Sequence, residues 1–545
     1  MRIDQAVLTR ARRHTEPAVI NSEAGSHPTP ECQADLATSG RFSPLFWTAA
    51  LGTAAMWSIM LGTTMNVSPF ALHESGSWLF STGPSPNHGM LLSLVLVYGG
   101  LLLFLRVWFD LVRWLNANRG TALSRLVPIF LLWVVPMLVV PPLFSKDVYS
   151  YAAQGEMVSH GISPYQYGPQ VLGGTPFLKL ADPMWQNMPT PYGPLVLALD
   201  GVTVSMTGHS VLATVVVMRL LAFAGVILAA AFIPRLARSY GRDGALAFAM
   251  AILNPVTLLH LVGGAHNDAE MVGLLVAGVA LARTGRPIVG IVLCTLAALV
   301  KAPAELAVVY IGWDWLGPHL RIRERVRPVL TALIVSGGIM TIVSWITGLG
   351  WGWLGAMGTP GTVVSMLSPT TLVGTVMGKI AHFFGLGVSQ ESMLSLSRAV
   401  GMLVAFAGCV VLLVMSKRLG AVRALAMSLL LVVILGPVVQ PWYLSWGLLM
   451  AAPVATGKLR RTVSVLSVAV CFIGLPGAKQ LFGFLLNPHN VGSLALGLGV
   501  LVVVLTTPLR GWIRRLLSWR ATAPTASASF LRRIFPARIP ARSSG

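Results

Sequence analysis

Fourteen apolar runs follow one another along this chain of 545 residues, and clusters of arginine and lysine occupy many of the short connections between them. Hydrophobic residues make up 55% of the chain and charged residues only 10%. This composition excludes a soluble globular protein and a disordered chain, and it requires many membrane spans. The apolar runs lie near residues 45–66, 89–107, 126–144, 210–233, 244–263, 267–283, 288–300, 302–317, 328–349, 398–416, 423–438, 442–456, 462–485 and 491–513.

The distribution of the basic residues predicts a membrane topology. The net charge of +21 does not indicate nucleic-acid binding, because the basic residues are scattered in short clusters between apolar runs. If these clusters and both termini are cytoplasmic, an even number of crossings separates consecutive clusters. Residues 287–318 and 423–457 then form two hairpins, the first with its apex at Lys301 and the second with its tip at Gln440–Tyr443. The same rule makes 193–208 an interfacial helix.

This topology predicts an all-α polytopic membrane protein with roughly 12–14 transmembrane helices, interfacial helices and a large first outer loop at 145–195. The transmembrane domain covers residues 44–515. Residues 1–43 and 516–545 are interpreted as disordered cytoplasmic tails, the second of them basic. The unusual polar groups gather on the outer face, in 145–195, 263–268, Lys301, 350–397, 440–443 and 487–490.

Lys146 and Asp147 stand where an apolar run ends and the outer loop begins. Charged groups at the edge of the hydrocarbon are costly to desolvate, so they indicate a function. A carboxylate at this place is a candidate general base for a substrate hydroxyl. A salt bridge between Lys146 and Asp147, or a helix N-cap at Asp147, is the structural alternative.

Aromatic residues are frequent in the loop that follows, and proline-containing turns at 161–165 and 191–194 indicate that the loop is ordered. Aromatic faces stack on sugar rings, although they also anchor helices at the membrane interface. The candidates for sugar or acceptor binding in this loop are Tyr149, Tyr151, Trp185 and Tyr192.

Gly263–Asp268 joins two apolar runs with almost no spacer. His266 is a candidate ligand for a phosphate, and Asn267 and Asp268 are candidates for sugar contacts, since these side chains supply hydrogen-bond donors and acceptors. A tight turn in which Asp268 caps the next helix is the alternative.

Lys301 lies alone between two apolar half-helices, where an ammonium group needs an anion. This anion is either Glu305, one helical turn further on, or the phosphate of a ligand, which Lys146 would also contact. Gln440, Trp442 and Tyr443 either complete the sugar and acceptor pocket or belong to the aromatic belt of the interface.

Several site classes are not indicated. The four cysteines form no metal-binding motif, so we predict neither a metal nor a cofactor. The chain has no phosphate-binding loop of the GxxxxGK[ST] type. An enzyme of this kind would therefore take an activated substrate from the membrane, most naturally a polyprenyl phosphate sugar.

Two groups of motifs resemble a known family. The first comprises 141–151, which ends in Ser-Lys-Asp-Val-Tyr-Ser-Tyr, together with 161–165 and 189–194. The second comprises Asn254-Pro255 and 260–268. Both are similar to the polyprenol-phosphomannose-dependent α-(1→6)-mannosyltransferases of mycolic-acid bacteria, which are part of the GT-C superfamily.

The resemblance implies an inverting glycosyltransferase with a GT-C fold in the plasma membrane and an active site on the periplasmic face. Its donor would be polyprenyl phosphate mannose and its acceptor a lipid-anchored α-(1→6)-mannan of lipomannan and lipoarabinomannan. By the same likeness Asp147 corresponds to the acidic residue taken as the general base. As a hypothesis from the residues themselves, Lys301 and His266 would stabilise the departing phosphate. A transferase for another polyprenyl-phosphate sugar, such as arabinofuranose or glucose, and a lipid-linked sugar flippase remain alternatives.

Overall fold

Helices connected by turns make up the regular structure of the described residues. A computed structural model describes residues 43–65, 68, 70, 78, 88–317, 321–472 and 475. Residues 1–42 of the predicted tail 1–43, the predicted tail 516–545, the apolar run 491–513 and the segment 487–490 lie outside the described residues. The described residues from Trp47 onward belong to one compact unit.

The first half of the chain contains nine α-helices within the described residues. They are α1 (Pro44–Thr64), α2 (His88–Ala117), α3 (Val127–Val139), α4 (Asp147–Ser159), α5 (Pro176–Leu180), α6 (Pro194–Met206), α7 (Val211–Ser239), α8 (Gly244–Ala251) and α9 (Asp268–Arg283). A π-helix, Val256–Gly263, continues α8, and short 3₁₀-helices cover Leu123–Arg125 and Pro169–Leu172.

The second half continues with nine further α-helices in the part that is described. They are α10 (Pro287–Ala298), α11 (Glu305–Asp314), α12 (Ile322–Ile346), α13 (Gly352–Ala356), α14 (Pro369–Phe383), α15 (Gln390–Leu419), α16 (Ala421–Leu435), α17 (Ser445–Ala451) and α18 (Gly457–Val470). The 3₁₀-helices here are Ala302–Ala304, Thr359–Thr362, Pro441–Leu444 and Ala452–Val454.

The helices confirm the prediction of an all-α, multi-pass membrane protein. Within the described residues, five helices are long and apolar enough to cross a membrane, or six if α8 and its π-helical continuation form one bent span. Four further apolar helices have 10–17 residues. A helix rises about 1.5 Å per residue against a hydrocarbon core of about 30 Å, so the shorter ones do not span it alone. The total of 12–14 spans therefore stays a prediction.

Both predicted hairpins have the expected pairs of helices. Lys301 lies in the turn between α10 and α11, and Gln440–Tyr443 lies between α16 and α17. The apolar segment after the first loop is α6, a helix of 13 residues, in agreement with its assignment as shorter than a span. The sequence pattern thus located the turns that carry the polar groups.

A break between α8 and the π-helix turns the chain toward these polar groups. The two segments meet at 53°. Asn254 stabilises the break: its Oδ1 accepts the Val256 N–H at 2.9 Å, and its Nδ2 donates to Met250 O and Ser467 Oγ at 2.8 and 2.7 Å. Pro255 cannot donate to the helical ladder, which explains why the regular helix ends there.

Two close backbone contacts hold the loops against the helices. The N–H of Leu143 donates to Gly263 O at 3.1 Å, and that of Gly193 donates to Val300 O at 3.1 Å. A Cβ atom at Gly193 would lie 2.0 Å from Leu299 O, so only glycine fits at this contact. These contacts bring the chain before Asp147 next to 264–268, and the end of the loop next to Lys301.

Candidate active site

Asp147 is the first residue of α4 and is only 6% exposed. Its N–H donates to Ser145 Oγ at 3.1 Å, and its Oδ1 accepts a hydrogen bond from Trp185 Nε1 at 3.3 Å. A carboxylate in the first turn interacts favourably with the helix dipole. Lys146, at the N-cap position, is half-buried, and no ion pair between it and Asp147 occurs among the described residues. Neither structural alternative for Asp147 is therefore observed.

Burial is the main influence on the protonation of Asp147. It raises the pKa of Asp147 to about 6, although the positive charge of Lys301 acts in the opposite direction. Asp182 adds to the rise as a like charge, and the hydrogen bond from Trp185 opposes it. With this pKa the carboxylate is mostly ionised at pH 7 and is still basic enough to accept a proton.

Lys301 has its anion in Asp268. Lys301 Nζ lies 2.8 Å from Asp268 Oδ2, and both side chains are buried. Trp446 Nε1 donates to the other oxygen, Oδ1, at 2.5 Å. Glu305, which the sequence suggested as the protein partner of Lys301, instead accepts hydrogen bonds from Ser336, and the pairing with Asp268 was not predicted. The capping alternative for Asp268 is wrong, because α9 begins at Asp268 and its N-cap residue is Asn267.

Three aromatic rings surround the ammonium group of Lys301. Its Nζ lies 4.4 Å from the centroid of Tyr443, 5.1 Å from that of Tyr192 and 5.5 Å from that of Trp446. Cation–π contacts of this length are favourable and are strongest where water is excluded. The rings and Asp268 together fix the position of the charge inside a buried site.

His266 connects Asp147 to the aromatic residues. Its Nδ1 lies 3.3 Å from Tyr151 Oη and 3.7 Å from Asp147 Oδ2, and its ring stacks on Trp442 with centroids 3.9 Å apart. Burial, then His260, then Lys301 hold the pKa of His266 well below its usual 6.5. The ring is therefore neutral at pH 7 and forms no ion pair with Asp147. Its Nε2 is buried without a hydrogen-bond partner among the described residues.

The structure brings most of the predicted residues into one site. Tyr151 packs edge-on against Tyr192 with centroids 5.3 Å apart, so it joins the surroundings of Asp147 to those of Lys301. Asn267 is 4% exposed, and its amide group has no partner in the described part of the chain. Tyr149 is buried in α4, and Gln440 is half-buried at the N-cap of Pro441–Leu444.

Two features of this region were missed from the sequence. Trp446 lies inside an apolar run, and only its distance of three residues from Tyr443 indicated a shared helical face. Glu156, His160 and His209 bring ligand atoms within 4.8 Å of one another near the far end of α4, an arrangement that could hold a metal ion. His209 is too distant in sequence for this group to be recognised.

Comparison with known proteins identifies the family. Residues 49–317 match the family model described as alpha-(1->6)-mannopyranosyltransferase, N-terminal domain, and residues 370–507 match the MptB C-terminal domain. The Archaeoglobus fulgidus oligosaccharyltransferase aligns over 72% of this chain and 54% of its own, with 11% identity and a TM-score of 0.28. This last similarity is too weak to establish a common fold.

Curated relatives carry the same description. Alpha-(1->6)-mannopyranosyltransferase A of Mycobacterium tuberculosis is 34% identical over 70% of this chain and 74% of its own. A probable alpha-(1->6)-mannopyranosyltransferase of Mycolicibacterium smegmatis is 32% identical over 80% and 82%, respectively. Alpha-(1->6)-mannopyranosyltransferase B of Corynebacterium glutamicum is 32% identical over 71% and 68%. The resemblance stated from the motifs is confirmed: this chain is a mannosyltransferase and belongs to the alpha-(1→6)-mannopyranosyltransferase family.

Proposed function

We propose that this enzyme transfers mannose, with inversion, from polyprenyl phosphate mannose to an α-(1→6)-mannan acceptor in lipomannan and lipoarabinomannan synthesis. The observation that carries the proposal is the buried Asp147 carboxylate in one site with the Lys301–Asp268 pair. A base for the acceptor and a cation for the leaving phosphate are the two groups that such a transfer needs.

Asp147 acts as the general base. It takes the proton of the acceptor's 6-hydroxyl while the hydroxyl oxygen forms a bond to the anomeric carbon of the donor. The bond from this carbon to the phosphate oxygen breaks, and its electron pair leaves on the polyprenyl phosphate. Attack from the face opposite the phosphate converts a β-linked donor into an α-linked product. The N–H of Trp185 holds the carboxylate in position for this step.

Lys301 binds the phosphate that departs. An ammonium group has three donors, and one of them is used on Asp268. Asp268 and the three rings hold Lys301 in place before the donor arrives, so little reorganisation is needed when negative charge develops. His266 contributes a hydrogen bond through its unpaired Nε2 rather than a charge, because the ring is neutral. Lys146, at the start of α4, is the second cation for the phosphate.

Sugar contacts come from the aromatic and amide groups around Asp147 and Lys301. Asn267 offers both a donor and an acceptor from a buried position, which suits a pair of sugar hydroxyls. Tyr149, Tyr151, Tyr192 and Trp185 supply the loop side of the pocket, and Asp268, Gln440, Trp442 and Tyr443 the opposite side. In the proposed orientation this site faces the periplasm and both termini are cytoplasmic.

The reaction and the donor are tested together with purified protein. Radiolabelled polyprenyl phosphate mannose and a short α-(1→6)-mannoside should give an elongated product, and a nucleotide-mannose donor should give none. Polyprenyl phosphate arabinofuranose and polyprenyl phosphate glucose, offered in parallel, separate the proposed donor from the alternatives. Elongation with either of these, but not with the mannose donor, would contradict the proposed function.

A further inference from the structure

Arg119 and Arg242, from two connections, and Arg460, from the first turn of α18, meet at a cavity at the other end of the helices that lead to the active site. The cavity has a volume of about 140 Å³ and is lined by Arg119, Arg242 and Arg460 together with Asp243, Leu246, Ala247, Ala452, Pro453, Ala455, Thr456 and Gly457. Leu246 and Ala247 belong to α8, whose π-helical continuation ends three residues before His266. Similarly, α17 leads from Trp446 in the active site to Ala452 at this cavity.

The described residues offset only part of the positive charge at this cavity, through the single carboxylate of Asp243. Arg119, Arg242 and Arg460 form no salt bridge with a carboxylate in the described ranges. Asp243 is the one acidic residue in the lining, and both of its oxygens are occupied. Oδ1 accepts the N–H of Leu246 at 2.8 Å, and Oδ2 accepts that of Gly120 at 2.7 Å.

A helix terminus adds to this charge. α18 begins at Gly457 in the cavity wall, and its first turn contains Arg460, which lines the cavity, but no acidic residue. The N-cap Thr456 makes no side-chain capping bond. A helix N-terminus carries a partial positive charge, so cations in its first turn are unfavourable unless an anion compensates them.

Two of the three guanidinium groups, those of Arg119 and Arg460, are oriented by a neutral partner. Asn116 Oδ1 accepts hydrogen bonds from both Arg119 and Arg460, and Asn116 O accepts one from Arg119 Nε at 3.0 Å. These neutral acceptors position Arg119 and Arg460 without compensating their charge. Planar guanidinium groups bind phosphate oxygens with two parallel hydrogen bonds.

We propose that this cavity binds a phosphate group, supplied by the headgroup of an anionic lipid or by free phosphate. The proposed topology places Arg119, Arg242 and Arg460 on the cytoplasmic side, where basic pockets between helices meet anionic lipids. The site is independent of the proposed reaction and of the residues assigned to it.

The test titrates delipidated protein in detergent with dioleoyl phosphatidic acid, with the first bound lipid measured by native mass spectrometry. The pair Arg242→Gln and Arg460→Gln should weaken this binding about tenfold or more. The matched control is the pair Lys458→Gln and Arg461→Gln, which removes two cations from the same helical turn outside the cavity lining. We expect it to change the affinity by less than about twofold.

A second arm uses inorganic phosphate in place of the lipid. If free phosphate is the ligand, it should raise the melting temperature of the wild type, relative to chloride at equal ionic strength, but not that of the arginine pair variant. Either arm supports the site and identifies the source of the phosphate. The single variant Arg242→Gln, which alters one exposed side chain, serves if the pair variant does not fold. Equal weakening by the control pair, or no effect in both arms, would overturn the proposal.

Discussion

Charged side chains lie at both ends of α8 and its π-helical continuation, but in the described residues they are paired at one end and unpaired at the other. At the active-site end, Lys301 and Asp268 are buried and paired, and Trp446 satisfies the remaining oxygen. At the other end, Arg119, Arg242 and Arg460 surround a cavity without a carboxylate partner among the described residues. A charge removed from water must be neutralised by the protein itself. A charge that stays in contact with solvent is stabilised by water and is stable without a protein partner until an anion binds.

This difference has a consequence for function. The paired site is fixed before substrate binds, which suits a step in which charge develops in a set place. The arginine cavity attracts anions but contains no carboxylate paired with its arginines in the described residues, which suits reversible binding of an anion.

The largest effect is expected from removing one partner of the buried pair. Lys301→Ala should lower the free energy of unfolding by about 3–5 kcal/mol, because it leaves Asp268 as an uncompensated buried charge. Denaturant titration in detergent measures this change. Arg242→Gln at the other end should stay within about 0.5 kcal/mol of the wild type.

The double variant Lys301→Ala with Asp268→Asn provides the internal control. It removes the uncompensated charge of Asp268 and should recover part of the lost free energy of unfolding. A loss for Lys301→Ala as small as that for Arg242→Gln would mean that the two ends do not differ in the proposed way.

The sequence predicted the positions of the turns better than it predicted which side chains in those turns form hydrogen bonds and ion pairs with one another. The charge pattern located Lys301 between two helices and placed Gln440–Tyr443 in a turn, because a cation or a proline–aromatic group interrupts an apolar run visibly. The motif around Asp147 likewise marked the start of the first loop helix. These signals are local in the chain.

The pairings are not local, which explains why they were not predicted. Asp268 lies 33 residues from Lys301, and Trp446 lies 178 residues from Asp268. The meeting of Arg119, Arg242 and Arg460 depends on how two connections and the start of α18 pack together, and a sequence pattern does not contain this information. Trp185 was expected to stack on a sugar, and its hydrogen bond to Asp147 required the folded loop.

The pH dependence of the rate should depend on the ionisation of Asp147 in the active site and not on groups at the arginine cavity. The base must be ionised, and burial raises the pKa of Asp147 to about 6, so kcat/KM should fall as the pH drops below about 6. Asp182→Asn removes a like charge that raises this pKa, so the acidic limb should move to lower pH.

Asp243→Asn, at the arginine cavity, is the matched control for this profile. Asparagine also caps helices well, so the fold should be retained and the acidic limb should not move. An acidic limb that is unchanged in Asp182→Asn, or that moves equally in Asp243→Asn, would remove the assignment of this limb to Asp147.

The smallest effect is expected from a change in salt concentration, which should affect the arginine cavity but not the active site. Ions screen exposed charges much more than buried pairs. Raising the sodium chloride concentration should therefore weaken phosphatidic acid binding at the arginine cavity. The stability difference between wild type and Lys301→Ala should change by no more than about 0.5 kcal/mol. A larger change would show that water reaches the Lys301–Asp268 pair.

The most direct test of the central claim is the initial rate of mannosyl transfer by Asp147→Asn, measured with polyprenyl phosphate mannose and a short α-(1→6)-mannoside. Asn keeps the size of the side chain and can still accept the hydrogen bond from Trp185, but it cannot take the proton. The rate should fall by about 10²–10⁴-fold. Asp182→Asn, which alters a neighbouring carboxylate, should stay within about threefold of the wild type at pH 7.5. An Asp147→Asn enzyme that transfers mannose at a rate close to that of Asp182→Asn would contradict the assignment of Asp147 as the base.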